Sequence, residues 1–300
     1  MRVSANSFYK KLGFKTYDCI DLDNAYNALP YNLNLSFKES YSFTNQFDLV
    51  TNLGTTEHII NQGICFENIH NLCKKDGIML HGLPIYGGLN HGFFRYSMKF
   101  FIRLAVFNGY EFLRCELIES GFDNNMNLYT REPIRLRHLD AIDEIYQYLK
   151  SSKSCDLSFP ETSTGGGFFI LLAFKKLKNI SFELPLDMPL VENRANETLE
   201  FFLGSKKAQN INRVAIFGTG EAARLARLFF EKCGKQIICY IDDFKNGELN
   251  GLPIINFDTF VGKYQNRCDA IIKGPLQKGN IEIRAGVEID IIKIQASWFH

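Results

Sequence analysis

The chain of 300 residues has no Cys-x-x-Cys pair. Its eight cysteines (Cys19, Cys65, Cys73, Cys115, Cys155, Cys233, Cys239 and Cys268) are scattered among mostly apolar neighbours, which excludes a local redox or zinc-ribbon motif and reads as reduced core thiols. Charge of one sign is also missing. Lys and Arg number 34 against 33 Asp and Glu, and the two signs are mixed along the chain, so the broad basic footprint of a nucleic-acid or anionic-membrane binder is absent. There is no long hydrophobic run: the longest, 168–174, falls far short of the roughly 20 residues that span a bilayer. Met1-Arg2-Val3-Ser4-Ala5-Asn6 lacks the apolar core of a secretory signal, so a soluble, cytoplasmic protein is expected and the glycosylation-like Asn196-Glu197-Thr198 has no consequence. No internal repeat or low-complexity tract occurs.

What is present is enough apolar material, 46% of residues, to bury one large core or two smaller ones. Helical periodicity over 4–12 ends at Gly13, a candidate C-cap, and leads into a predicted strand at 17–21. Further strands are expected at 47–51, 77–81, 110–114 and 168–174, with helices over 57–74 and 97–107 between them. Strands alternating with helices imply a doubly wound, mainly parallel sheet. The more polar stretch 119–164, with a helix over 139–149, reads as a cap or insertion. A Pro- and charge-containing segment then precedes a second strand–helix series at Arg213. The expected organisation is a first domain over 1–178, a linker with one helix over 179–211, and a second domain over 212–300.

A strand ending at Asp21 would place a carboxylate at the carboxyl edge of the sheet, where Asp21 or Asp23 can accept both hydroxyls of a ribose; either residue can equally cap the next turn. After Asp21 come Pro30-Tyr31-Asn32-Leu33-Asn34, then Phe47-Asp48-Leu49-Val50-Thr51-Asn52-Leu53-Gly54-Thr55-Thr56-Glu57-His58, then 70–84, then Asn90-His91-Gly92-Phe93. Over about 4–118 this ordered set resembles the class I S-adenosylmethionine-dependent methyltransferases. The resemblance implies that Asp21 or Asp23 holds the cofactor ribose, that Asn32 and Leu33 flank the adenine, that Asn52 and Gly54 lie by the transferring methyl group, and that 168–174 is a late antiparallel strand. The family's first strand and glycine-rich loop would lie upstream of residue 1, so an incomplete or inactive enzyme is expected.

Methyl transfer needs an aligned nucleophile, exclusion of water and in some cases a base. His91, in the glycine-rich run 87–92, His58 and Glu57 are the candidate catalytic residues, while His70 and His81 read as packing residues. His58, Glu57 and His91 have no compact ligand spacing, so no metal is expected.

In the second half, Val214-Ala215-Ile216-Phe217-Gly218-Thr219-Gly220 is a strand entering a Gly-x-Gly turn and a helix, and the next strand ends in Asp242-Asp243. This order resembles a Rossmann-type nucleotide site using Gly218, Gly220, Asp242 and Asp243. It is similar to the small domains attached to sugar-modifying enzymes, which implies a nucleotide-sugar, or NAD, as ligand. Glu221 at the helix start would repel a pyrophosphate. The leading expectation is therefore a methyltransferase, possessing or having lost activity, for a small, sugar-derived acceptor. Its alternative is a nucleotide or nucleotide-sugar binding module on a degenerate methyltransferase scaffold. An NAD-dependent oxidoreductase ranks last, because no Tyr-x-x-x-Lys pair follows the glycine turn. Beyond a small-molecule substrate the only partner left open is a second copy of the chain; neither nucleic acid nor membrane is expected.

Overall fold

In the computed structural model, which describes residues 5–87, 91–122, 128–130, 132–136, 167–187, 194–274 and 288–294, the strand-forming runs assemble into two six-stranded sheets with separate cores. The first sheet comprises β1 (Phe47–Leu53), β2 (Cys73–Gly87), β3 (Tyr110–Phe122), β4 (Leu128–Thr130), β5 (Ile134–Leu136) and β6 (Gly167–Lys176). Its order is β1-β2-β6-β3-β4, with β5 also on β3. β1 and β2 are parallel, and β6 is antiparallel to both β2 and β3, so β1, β2 and β3 share one direction and β6 is the reversed strand between them. The late antiparallel strand expected at 168–174 is therefore present.

Parallel neighbours need a crossover, and helix α3 (Gln62–Leu72) supplies it between β1 and β2. Helices α1 (Ala5–Lys11) and α2 (Phe37–Tyr41) precede the sheet. Helix α4 (Met98–Asn108) joins β2 to β3; the Ser97 hydroxyl accepts from Phe100 N at its start, and Gly109 ends it at φ 62. Phe101, Leu104 and Phe107 of α4 pack on Ile170, Leu172 and Phe174, alternate residues of β6 that share one face. No helix among the described residues is long and apolar enough to cross a membrane.

The second sheet is parallel except at one edge: β7 (Arg213–Phe217), β8 (Gln236–Ile241), β10 (Leu252–Ile255), β11 (Ala270–Lys273) and β12 (Asp290–Lys293) run together, and β9 (Gly247–Leu249) pairs antiparallel with β10. Helix α7 (Glu221–Lys232) buries Ala223, Ala226, Phe229 and Phe230 against it, a stripe at helical spacing. The α/β class with two sheets is as the sequence implies.

One expected strand is missing. Residues 17–21 make only an isolated bridge, Ile20 with Leu29. The Asp21 carboxylate accepts from Leu22 N and that of Asp23 from Ala25 N, and Asn24, Tyr26 and Asn27 take positive φ values of 53, 56 and 63. Turn chemistry coils the chain before a ladder can form. Residues 119–122 continue β3 rather than opening a separate segment, and β4 and β5 lie within the expected cap. The helix expected over 139–149 lies outside the described residues.

Within 179–211, helices α5 (Ala195–Leu203) and α6 (Ser205–Asn210) pack on both halves: Leu199, Ala208 and Ile211 belong to the second core, while Phe201 and Phe202 lean on the first. The buried cysteines make no disulfide among the described residues, and burial pushes the Cys65 and Cys115 thiols up to about 12.

Candidate functional site

The exit of β1 is an anchored turn. Asn52 Oδ1 accepts from Thr56 N at 3.2 Å, and Asn52 Nδ2 donates to Thr56 Oγ1 at 3.0 Å and to His81 Nδ1 at 3.1 Å. The Tyr96 hydroxyl reaches Thr56 Oγ1 at 3.0 Å and Gln62 Oε1 at 2.7 Å, and the Gln62 amide donates to the carbonyls of Thr56 and Ile59. Burial raises the Tyr96 phenol, which stays neutral. The network fixes a short helical turn, Thr56–His58, with Glu57 pointing inward at 0% exposure.

Around Glu57 the expected catalytic residues meet. His91 Nε2 lies 3.4 Å and His58 Nε2 3.9 Å from the same oxygen, Glu57 Oε1, and both imidazoles are half-exposed. The loop bearing His91 is tied to this turn by Phe93 N and Phe94 N, which donate to Glu57 O at 2.8 and 3.1 Å. A Cβ on Gly92 would sit 2.9 Å from both Glu57 Cγ and Glu57 O, so only glycine lets the loop approach this closely. Neither oxygen of the Glu57 carboxylate has a hydrogen-bond partner among the described residues. The three ligating atoms lie within 4.8 Å of one another. Residue spacing pointed to no metal site, yet the fold assembles a set of donors that suits one.

Beside this turn a cleft of about 280 Å³ follows β1 from Phe47 to Leu53 and reaches Thr55 and Thr56. Its far wall is α1 and the segment after it, with Tyr9, Phe14, Tyr17, Asp18 and Ile20, joined by Leu33. Tyr9 and Tyr17 stack at 5.4 Å. The cofactor residues anticipated from the sequence are divided by this geometry. Leu33 and Asn52 line the cleft, but Asn52 is 3% exposed and held in the turn. Asp21 and Asp23 are exposed and cap local turns away from the cleft walls. Asn32 Oδ1 accepts from both nitrogens of Asn34, and Gly54, at φ 69, shapes the turn. Asp18, which is not among the residues the resemblance implies, is the carboxylate on the cleft wall. A strand was expected there, and in a strand Asp21, not Asp18, would have faced the ligand.

His70 and His81 pack, as expected. His70 donates from Nε2 to Ile180 O at 2.8 Å and meets the Tyr110 hydroxyl at Nδ1, 2.6 Å away. Burial pulls both imidazoles down to about 4, so each is neutral near pH 7.

At the second sheet, Gly218 follows β7 with φ 84, and Thr219 Oγ1 donates to Asp242 Oδ2 at 2.7 Å, bringing Asp242 to the glycine turn. Asp242 Oδ1 also accepts from Phe244 N, and Asp243 Oδ1 from Phe257 N. Space above Gly220 is open, with nothing within 4 Å of a Cβ placed there. Glu221, at the start of α7, is paired with Arg224. A larger groove of about 860 Å³ lies between the two halves, lined by Tyr110, Phe201 and Lys207 among others. It holds none of the candidate catalytic or cofactor-binding residues; the convergence of a buried carboxylate and two imidazoles makes the β1 exit the chemically equipped place.

No protein-family model matches the chain, and no curated protein matches it significantly. Among solved structures it is similar to a "putative methyltransferase" from Bacillus halodurans at 14% identity and a TM-score of 0.33, over 58% of this chain and 78% of that one.

Proposed function

We propose that the cleft beside β1 receives the adenosine part of S-adenosylmethionine, and that the methyl group passes to a small, sugar-derived acceptor held at Glu57, His58 and His91. The observation that carries this reading is the placement of Glu57, His58 and His91 at the exit of β1, next to a cleft with one carboxylate and an aromatic wall. The reversed β6 between β2 and β3 supports it, as the strand order the sequence resemblance implies. In this reading Asp18 accepts the ribose hydroxyls, Leu33 and the stacked Tyr9 and Tyr17 face the adenine, and His91 takes the acceptor proton with Glu57 behind it. Hydrogen bonds to a charged group contribute about 1.5–3 kcal/mol, so Asp18→Asn should weaken cofactor binding about tenfold or more. A thermal-shift series tests this: S-adenosylmethionine should raise the melting temperature of the wild type and raise that of Asp18→Asn only at much higher concentration. Equal shifts in both proteins would remove the cleft from the reading.

A second reading concerns the other sheet and rests on the Gly218 turn with Asp242 drawn to it by Thr219. There a nucleotide or nucleotide-sugar, or NAD, would lay its phosphates over Gly220. Protection of the protein by a UDP-sugar or by NAD, lost in Asp242→Ala, is the outcome this reading requires.

A further inference from the structure

We propose that Glu57, His58 and His91 form a binding site for a divalent transition-metal ion of the zinc class, with an open coordination position toward solvent. The first argument is electrostatic. A carboxylate at 0% exposure with two oxygens lacking hydrogen bonds among the described residues is a costly arrangement, and a cation is what relieves it. The second is geometric. Separations of 3.4 and 3.9 Å from Glu57 Oε1 to the two Nε2 atoms are longer than an N–H···O hydrogen bond. They lie near the spacing of about 3.3 Å between donors on a tetrahedral centre whose bonds are roughly 2.0–2.1 Å long. All three atoms lie within 4.8 Å of one another, so the two half-exposed imidazoles need to swing inward by about an ångström to share one ion.

The third argument is that the site is built. Glu57 and His58 come from a turn pinned by Asn52, Gln62 and Tyr96, while His91 comes from a loop fixed by two hydrogen bonds to Glu57 O and by the close approach at Gly92. Two imidazoles and a carboxylate form the mixed nitrogen–oxygen set that suits zinc, and three protein ligands leave a fourth position for water or a substrate oxygen. Both histidines are half-exposed, so that position faces the solvent-accessible side. An oxygen bound there is acidified by the ion, which, when present, would take over from His91 the task of easing loss of the acceptor proton. This chemical use rests on the methyl-transfer reading; metal binding itself does not.

The experiment is a Co²⁺ titration of the full chain after chelator treatment and dialysis, followed by visible d–d absorption and calorimetry, with Zn²⁺ as competitor. Wild type should bind one equivalent with the intense bands of a low-coordinate site, displaced by Zn²⁺. His91→Ala, an exposed substitution, and Glu57→Gln should each weaken binding about 100-fold. Glu57→Gln should leave the apoprotein as stable as wild type or more so, because it removes a buried carboxylate whose oxygens lack hydrogen bonds among the described residues, which separates loss of a ligand from loss of the fold. Absence of Co²⁺ binding by the wild type, or binding unchanged in His91→Ala and Glu57→Gln, would overturn the proposal and leave a His–Glu ion pair only. Because the readout is metal binding, a negative result leaves the cofactor reading intact, and a protein that binds Co²⁺ but no S-adenosylmethionine would retain the metal site alone.

Discussion

At the scale of single residues, the polar groups that matter most are buried ones with few partners. His81 is 1% exposed; Nδ1 accepts from Asn52, so its proton sits on Nε2, which has no partner among the described residues. Charging it would break the Asn52 bond at the foot of the site. With a folded value of about 4 against about 6.5 unfolded, His81 stays neutral in the native state while the unfolded chain takes up protons, so stability is complete above roughly pH 6.5 and falls as pH drops toward 4. The same sign holds for His70. Each shift corresponds to about 3 kcal/mol. Urea denaturation from pH 7.5 to 4 should show this loss, and a protein carrying His81→Gln should show a shallower slope; a wild-type stability flat to pH 4 would contradict it. These histidines were readable in the sequence as packing residues because His70 falls in a predicted helix and His81 in a predicted strand. The place of Asp18 on the cleft wall was not, because it follows from the turn chemistry at Asp21, Asp23 and Asn24 that prevents the expected strand.

At the scale of elements, helices and strands with strong signals formed where periodicity placed them, as with Ser97 and Gly109 bounding α4. The convergence of Glu57, His58 and His91 was invisible in the spacing, since 32 residues including α3 and β2 lie between His58 and His91; only parallel pairing of β1 with β2 brings the two exits together. Gly92 is the hinge of that approach. Gly92→Ala would press a methyl group onto Glu57 Cγ and onto the backbone at Glu57 O, which cannot give way as a flexible side-chain tip would. It should cost about 1–3 kcal/mol and move His91 away from Glu57. Stability by urea titration together with the NMR shifts of the His91 ring would check this, and an unperturbed ring would contradict it. Ser97→Ala should cost about 1 kcal/mol through the lost cap on Phe100 N while leaving ligand binding at β1 unchanged.

At the scale of the molecule, two sheets with two cores are coupled through α5, whose Leu199 lies in one core while Phe201 stands 6.3 Å from Phe112 on the other. Arg194 adds a guanidinium 4.8 Å from the centre of the Phe107 ring. The linker expected over 179–211 is thus, in its described part, a packed strap. Truncating half-buried Phe201 to Ala should cost about 2 kcal/mol and split the denaturation profile into two steps, one for each sheet. A profile that stays a single step would contradict that division.

Direct titration of the full chain with S-adenosylhomocysteine by calorimetry, at two temperatures so that a vanishing enthalpy is not mistaken for absence of binding, tests the account at its centre. It predicts saturable binding at one site, weakened about tenfold or more in Asp18→Asn and unchanged in Asp242→Asn. No heat at either temperature, or binding that survives Asp18→Asn intact and is lost in Asp242→Asn, would contradict it.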